Sequence, residues 1–142
     1  MAYENNGKKF VAVINRQQPL PIILNALAHT AFGMSGKGAD VGNLLDYRNS
    51  ATCFEAKIDE YPFIILESKN SNQLKTLTSN VVENRRIAYN VFTTSMIGAS
   101  AQEQREATLN ATDESLDFVV VALFGAREDV EPLTKKFSLF KG

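Results

Sequence analysis

The chain has one histidine, one cysteine and a scatter of carboxylates, so any chemistry it performs must come from a short list. His29 is the natural acid–base group, because imidazole is the side chain whose unperturbed pKa lies nearest neutrality. It has no second histidine beside it, and no Ser–His or Cys–His arrangement is visible. One histidine and one cysteine leave too few of the usual ligands for zinc, so neither a metal nor a cofactor is expected. Asn25 lies four residues before His29, which puts both on one flank of a helix. Thr94 offers a hydroxyl further along the chain. His29, then Asn25 and Thr94, are the catalytic candidates. A second constellation is electrostatic. Arg16 follows the first strand and Arg127 the last long one; if those strands are parallel neighbours, both guanidiniums and a helix N-terminus meet on one carboxyl edge. Ligands of open α/β sheets bind at such edges, and helix N-termini favour anions. Arg16, Asn25, His29 and Arg127 thus define an expected site for a small anionic ligand, a phosphate or carboxylate. The plainer readings are a structural histidine bonded to a hydroxyl such as Thr93 or Thr94, and two arginines making weak surface contacts.

These side chains must be held by a strand–helix unit near the start of the chain. Phe10 to Ile14 is a continuous apolar run, the pattern of a strand buried on both faces. Leu20, Ile23, Leu24, Leu27 and Ala31 recur at helical spacing over Leu20–Phe32, with Pro19 and Pro21 near the start, where a missing amide proton is tolerated. Gly33 is expected to end that helix in the left-handed conformation. A glycine-rich loop over 34–43 lacks P-loop spacing and follows a helix instead of preceding one. Thr52–Ile58 alternates as a half-exposed strand, and Phe63–Leu66 reads as a buried one. Asn70 with Gln73 signals a helix start, and Leu74, Leu77 and Val81 give that helix its stripe. A strand near Ile87–Phe92 follows. Ser100 with Glu103 caps a polar helix to about Leu109, a solvated helix or a lid. Asp117–Phe124 is the strongest strand, Gly125 closes it, and a helix from about Arg127 to Lys136 precedes an alternating Phe137–Leu139. The predicted fold class is α/β: a three-layer sandwich with a mixed four- to five-stranded sheet and helices on both faces.

Composition sets the outer bounds. The 142 residues suggest a single domain over 1–142, with 1–7 a frayed tail that lacks the apolar centre of a signal peptide. A net charge of −1, with basic doublets only at Lys8–Lys9, Arg85–Arg86 and Lys135–Lys136, argues against a dedicated nucleic-acid surface. The longest apolar run, Phe118–Phe124, is far too short for a membrane span. A lone cysteine cannot form an intrachain disulfide and fits a reducing, cytoplasmic setting. Cys53, set in an alternating stretch, is expected to be a half-buried structural thiol.

Three segments together resemble a known family: Val11 to Arg16, then Leu24-Asn25-Ala26-Leu27-Ala28-His29, then Val130 to Leu139 with its Lys-Lys-Phe-Ser-Leu ending. They are similar to the family catalogued as domain of unknown function 2000, over about Lys8 to Lys141. That family is similar in fold to the type 2 peptidyl-tRNA hydrolases. The resemblance implies a mixed sheet between helical layers, and a homodimer. His29 matches the hydrolases' histidine. No lysine occurs from Val11 to Thr30, however, and Ala26 stands where their glutamine is expected. Their Asp-Ala-Gly-x-Thr turn is replaced by Phe92-Thr93-Thr94-Ser95-Met96, without the carboxylate. Ester hydrolysis on a tRNA needs a group to position water and cations to hold phosphates. The implied outcome is the fold kept and that catalytic set lost. A non-catalytic binding module, a hydrolase with a rebuilt site around Asn25, His29 and Thr94, and a self-pairing assembly protein are the three classes to separate.

Overall fold

The structure is a computed structural model describing residues 3–4 and 6–142. Its elements run β1 (Lys8–Asn15), α1 (Leu20–Met34), β2 (Leu44–Arg48), β3 (Glu55–Asp59), β4 (Phe63–Ser68), α2 (Ser71–Val81) and β5 (Ala88–Thr93). A 3₁₀ turn (Thr94–Met96), α3 (Ala101–Asn110), β6 (Phe118–Ala126), α4 (Arg127–Thr134) and β7 (Ser138–Leu139) complete the chain. Of the tail expected over 1–7, residues 1, 2 and 5 lie outside the described residues; the Gly7 carbonyl accepts a hydrogen bond from the Arg127 amide.

Five strands form one mixed sheet in the order β5-β6-β1-β4-β7, and β2 and β3 pair separately as a two-stranded ribbon. β1 is parallel to β4 and antiparallel to β6. The two uninterrupted apolar runs are the inner strands β1 and β6, as burial on both faces requires. Alternate residues feed two cores. Phe10, Ala12, Ile14, Val120 and Ala122 pack with α1 on one side. Val11, Val13, Val121 and Leu123 pack with Leu74 and Leu77 of α2 and Val130 of α4 on the other. Among the described residues no helix is long and apolar enough to cross a membrane.

Helix starts match their sequence signals. Asn70 accepts the Gln73 amide while the Gln73 side chain accepts the Lys69 amide, and Ser100 accepts the Glu103 amide. Other expectations need correction. The buried stripe of α1 is Ile23, Ala26, Thr30 and Met34, while Leu20 and Leu24 are exposed. Apolar residues run more than halfway round this helix, so periodicity could not fix which side faces inward. The smaller Ala26 and Thr30 let it approach the sheet. Gly33 lies inside the helix without a left-handed φ. Its role is space: a Cβ there would come within 2.5 Å of the Asn90 amide nitrogen, which donates to the Thr30 carbonyl. Cys53 is exposed and sits in the turn between β2 and β3 at φ 61°, not in a strand.

At the N-terminal end of β1, Lys9 and Arg127 converge on Glu131, at 3.2 and 3.0 Å, tying α4 to the sheet. The Lys9 hydrogen bond, then that of Arg127, holds the Glu131 carboxyl below its ordinary value of 4.5. A lowered carboxyl pKa adds stability above the unfolded value and loses it as pH falls through the folded one. Glu131→Gln is therefore expected to flatten the acid limb of the stability profile below about pH 4.5, measured by urea unfolding at stepped pH. An acid limb identical to that of the parent protein would remove this tie as its cause.

Candidate functional site

One end of the sheet gathers the C-termini of β1, β4 and β5 and the start of β6, because Thr93 pairs with Phe118 and β1 is parallel to β4. Asn15 closes this end. Its side-chain amide donates to the Phe118 carbonyl at 2.9 Å and its oxygen accepts the Gln17 amide, turning the chain into α1. Between α1, edge strand β5 and the segment through α3 opens a cleft of about 1260 Å³.

Three walls form it. Asn25, His29 and Thr30 come from α1; Asn90, Val91 and Phe92 come from β5. Met96, Ile97, Gln102, Gln104, Arg105, Glu106, Thr108 and Leu109 come from the 3₁₀ turn and α3. His29 is exposed at the rim, its ring 6.2 Å from that of Phe92 with 27° between the planes. Among the described residues its imidazole makes no hydrogen bond. The Thr93 hydroxyl expected as its partner instead pairs with Ser95 at 2.6 Å, and Ser95 with Thr108 at 2.8 Å. That hydroxyl chain fastens α3 to the turn, and the Gln104 side chain adds a bond to the Gly98 carbonyl. α3 buries no residue and packs chiefly on this turn, so the third wall is held mainly by one short segment.

Thr30 of the α1 wall carries the most informative atom, shut off from solvent behind the lining. Thr30 is 2% exposed, and its hydroxyl is the one buried side-chain polar atom without a partner among the described residues. The other helical threonines, Thr76, Thr78, Thr108 and Thr134, each donate to the carbonyl four residues back. Thr30 does not use that default, and a buried hydroxyl left unpaired costs about 1–3 kcal/mol. Arg105 on the opposite wall forms no ion pair among the described residues.

The structure brings Asn25 and His29 together and leaves out the other predicted residues. Thr94 lies beside the cleft but not in its lining, its amide donating to the Asp117 carbonyl. Arg16 and Arg127 do not converge: β1 and β6 are antiparallel, so the residues that follow them stand at opposite ends of the sheet. Arg16 pairs with Glu67 of β4, on the far side of β1 from β5, and Arg127 pairs with Glu131. The basic doublets part ways too. Lys8, Arg85 and Arg86 meet Lys37 in a shallow recess also lined by Asp40 and Asp129, while Lys9 serves Glu131. No three His, Cys, Asp or Glu side chains among the described residues gather closely enough to hold a metal ion. Sequence reading missed Thr30, Asn90, Arg105 and Thr108. Only the polar helix flagged as a possible lid pointed toward the last two.

Fold and site thus define an α/β domain with an open cleft of mixed polar and apolar lining at one edge of a five-stranded mixed sheet. Residues 8–141 match the family described as protein of unknown function (DUF2000), and the chain belongs to that family. Among solved structures it is similar to a protein of unknown function from Agrobacterium tumefaciens, with 17% identity and a TM-score of 0.79 over 95% of this chain and 98% of that one. At that identity the likeness shows a shared fold. No match is found among curated proteins.

Proposed function

We propose that this protein is a small-ligand-binding module that takes an organic anion into the cleft between α1 and α3. The reading rests on a scaffold like that of the type 2 peptidyl-tRNA hydrolases, without their catalytic set, working in the cytoplasm. The observation that carries it is the unpartnered Thr30 hydroxyl, closed off behind the cleft lining, because a buried polar atom is normally paired and a ligand that parts the α1 and α3 walls can supply the missing partner. Arg105 is the available cation for a carboxylate or phosphate. Phe92 and Met96, with exposed Ile97 and Leu109, offer apolar surface to the rest of the molecule. α3 is held chiefly by the 3₁₀ turn and closes over the ligand.

Calorimetry against a panel of organic acids and nucleotides tests the site. Arg105→Ala is expected to weaken any hit about tenfold or more, the effect of about 1.4 kcal/mol. His29→Ala should act on ligands with a flat ring, through the lost contact beside Phe92. Amide exchange over 101–110 is expected to slow when ligand binds. Binding unchanged in the Arg105→Ala, His29→Ala double variant would place the ligand elsewhere. The second reading is a hydrolase acting on an ester-linked or tRNA-related substrate, favoured by Asn25 and His29 lining one cleft. Turnover of an aminoacyl ester that vanishes in His29→Ala selects it; no turnover above buffer selects the binding module.

A further inference from the structure

The β2–β3 ribbon is amphipathic, and much of its apolar side is exposed. Pairing places Leu45 opposite Ile58 and Tyr47 opposite Ala56 on one side, with Asp46 opposite Lys57 and Arg48 opposite Glu55 on the other. The second side is charged and closed by the Asp46–Lys57 and Arg48–Glu55 ion pairs. The first is wholly apolar, and Phe54, just before β3, extends it. Tyr47, Phe54 and Ile58 are nonetheless 47%, 55% and 53% exposed. A lone two-stranded ribbon is at best marginally stable in water, and such alternation marks a strand pair lying with one face on an apolar surface. Among the described residues, β2 and β3 pack on each other and on no other element to comparable extent. The ribbon's root is nevertheless stitched in place. Asn43 bonds Asp59 and Glu60, and Gly42 sits at φ 73° where a Cβ would strike Phe10 and Asp59.

A matching surface exists on the sheet. α1 lies mainly over β6 and β5, touches β1 more lightly, and has no contact of comparable extent with β4 on that face. Phe63 and Ile65 of β4 point to the same side as Phe10 and Ala12. Phe140 packs on the same core, and Leu20 and Leu24 add apolar surface from the flank of α1 turned away from Asn25 and His29, so this side presents an apolar shelf on which Leu20, Leu24 and Phe63 are exposed.

We propose that the apolar side of the ribbon seats on this shelf of a second copy of the chain, and reciprocally, in a twofold dimer where each protomer gives one ribbon and one shelf. The area favours this occupant. With about 150–250 Å² for an aromatic side chain and somewhat less for leucine or isoleucine, the ribbon side exposes roughly 400 Å² and the shelf about as much. Together they supply the ~800 Å² per partner typical of a stable interface. Two ribbons meeting face to face would bury only about half of that.

Light scattering and sedimentation equilibrium on the full chain test this. The parent protein is expected to be a dimer, and Ile58→Glu on the ribbon or Leu24→Glu on the shelf is expected to weaken dimerisation at least about a hundredfold. Both residues are exposed, so circular dichroism should show either variant folded. A photoreactive maleimide on Cys53, the only cysteine, is expected to cross-link to residues 20–34 or 63–68 of an isotope-labelled second copy. A parent protein still monomeric at about 100 μM, a dimer indifferent to Ile58→Glu, or cross-links confined to the other ribbon would each overturn the arrangement.

Discussion

Leu123→Ala is expected to remove about 3–5 kcal/mol of stability, a large part of the ~5–15 kcal/mol typical of a domain. Leu123 is fully buried at the centre of β6, opposite Val11 on β1 and Tyr89 on β5. It belongs to the core under α2 and α4, where Leu74, Leu77 and Val130 close over it. The neighbours sit on four different elements, so they cannot collapse together into the space left by the lost atoms. That puts the cost at the upper end for leucine truncations. Leu24→Ala supplies the contrast. Helical spacing put Leu24 in the apolar stripe of α1, whereas the structure exposes it. In the Ile58→Glu background, where dimerisation does not enter, its loss should change stability by less than about 0.5 kcal/mol. Urea unfolding reads both. A Leu24→Ala cost comparable to that of Leu123→Ala would mean that α1 is rotated from the orientation described.

The second large effect has opposite signs in two measurements. Thr30→Val keeps the shape and removes the unpaired hydroxyl. Without ligand the variant is expected to gain about 1 kcal/mol, since a buried polar group with no partner is replaced by a methyl. With a ligand identified by calorimetry, affinity is expected to fall about tenfold or more, because the group awaiting a partner is gone. Few substitutions stabilise a protein while impairing its binding, so the pair of results is diagnostic. If Thr30→Val destabilises the free protein and leaves affinity unchanged, the hydroxyl has an internal partner and the cleft loses its main support.

Much of the fold was legible because its signals are local. The β1 and β6 runs, the Asn70 and Ser100 caps and the Leu74, Leu77, Val81 stripe each report the environment of a single element. β2 escaped because Leu44-Leu45 breaks the alternation at its start, and its pairing to β3 is needed to reveal the apolar side. The site was half legible. Asn25 and His29 share a flank by helical spacing alone, so their meeting in the cleft was predictable. Arg16 and Arg127 depended on strand direction, which no short pattern encodes; one antiparallel pairing separates them by the length of the sheet. Thr30 could not be singled out, because five helical threonines look alike until four are seen bonding backward and one is not.

Two of the three cleft walls come from one unbroken stretch, Asn90 to Leu109, and its outer half buries nothing in either core. Selectivity and foldability are thereby written in separate parts of the chain. Residues 97–112 form a replaceable cassette: trimming, lengthening or grafting this piece should retune what is recognised while the scaffold stands. Divergence among members of the family should concentrate there.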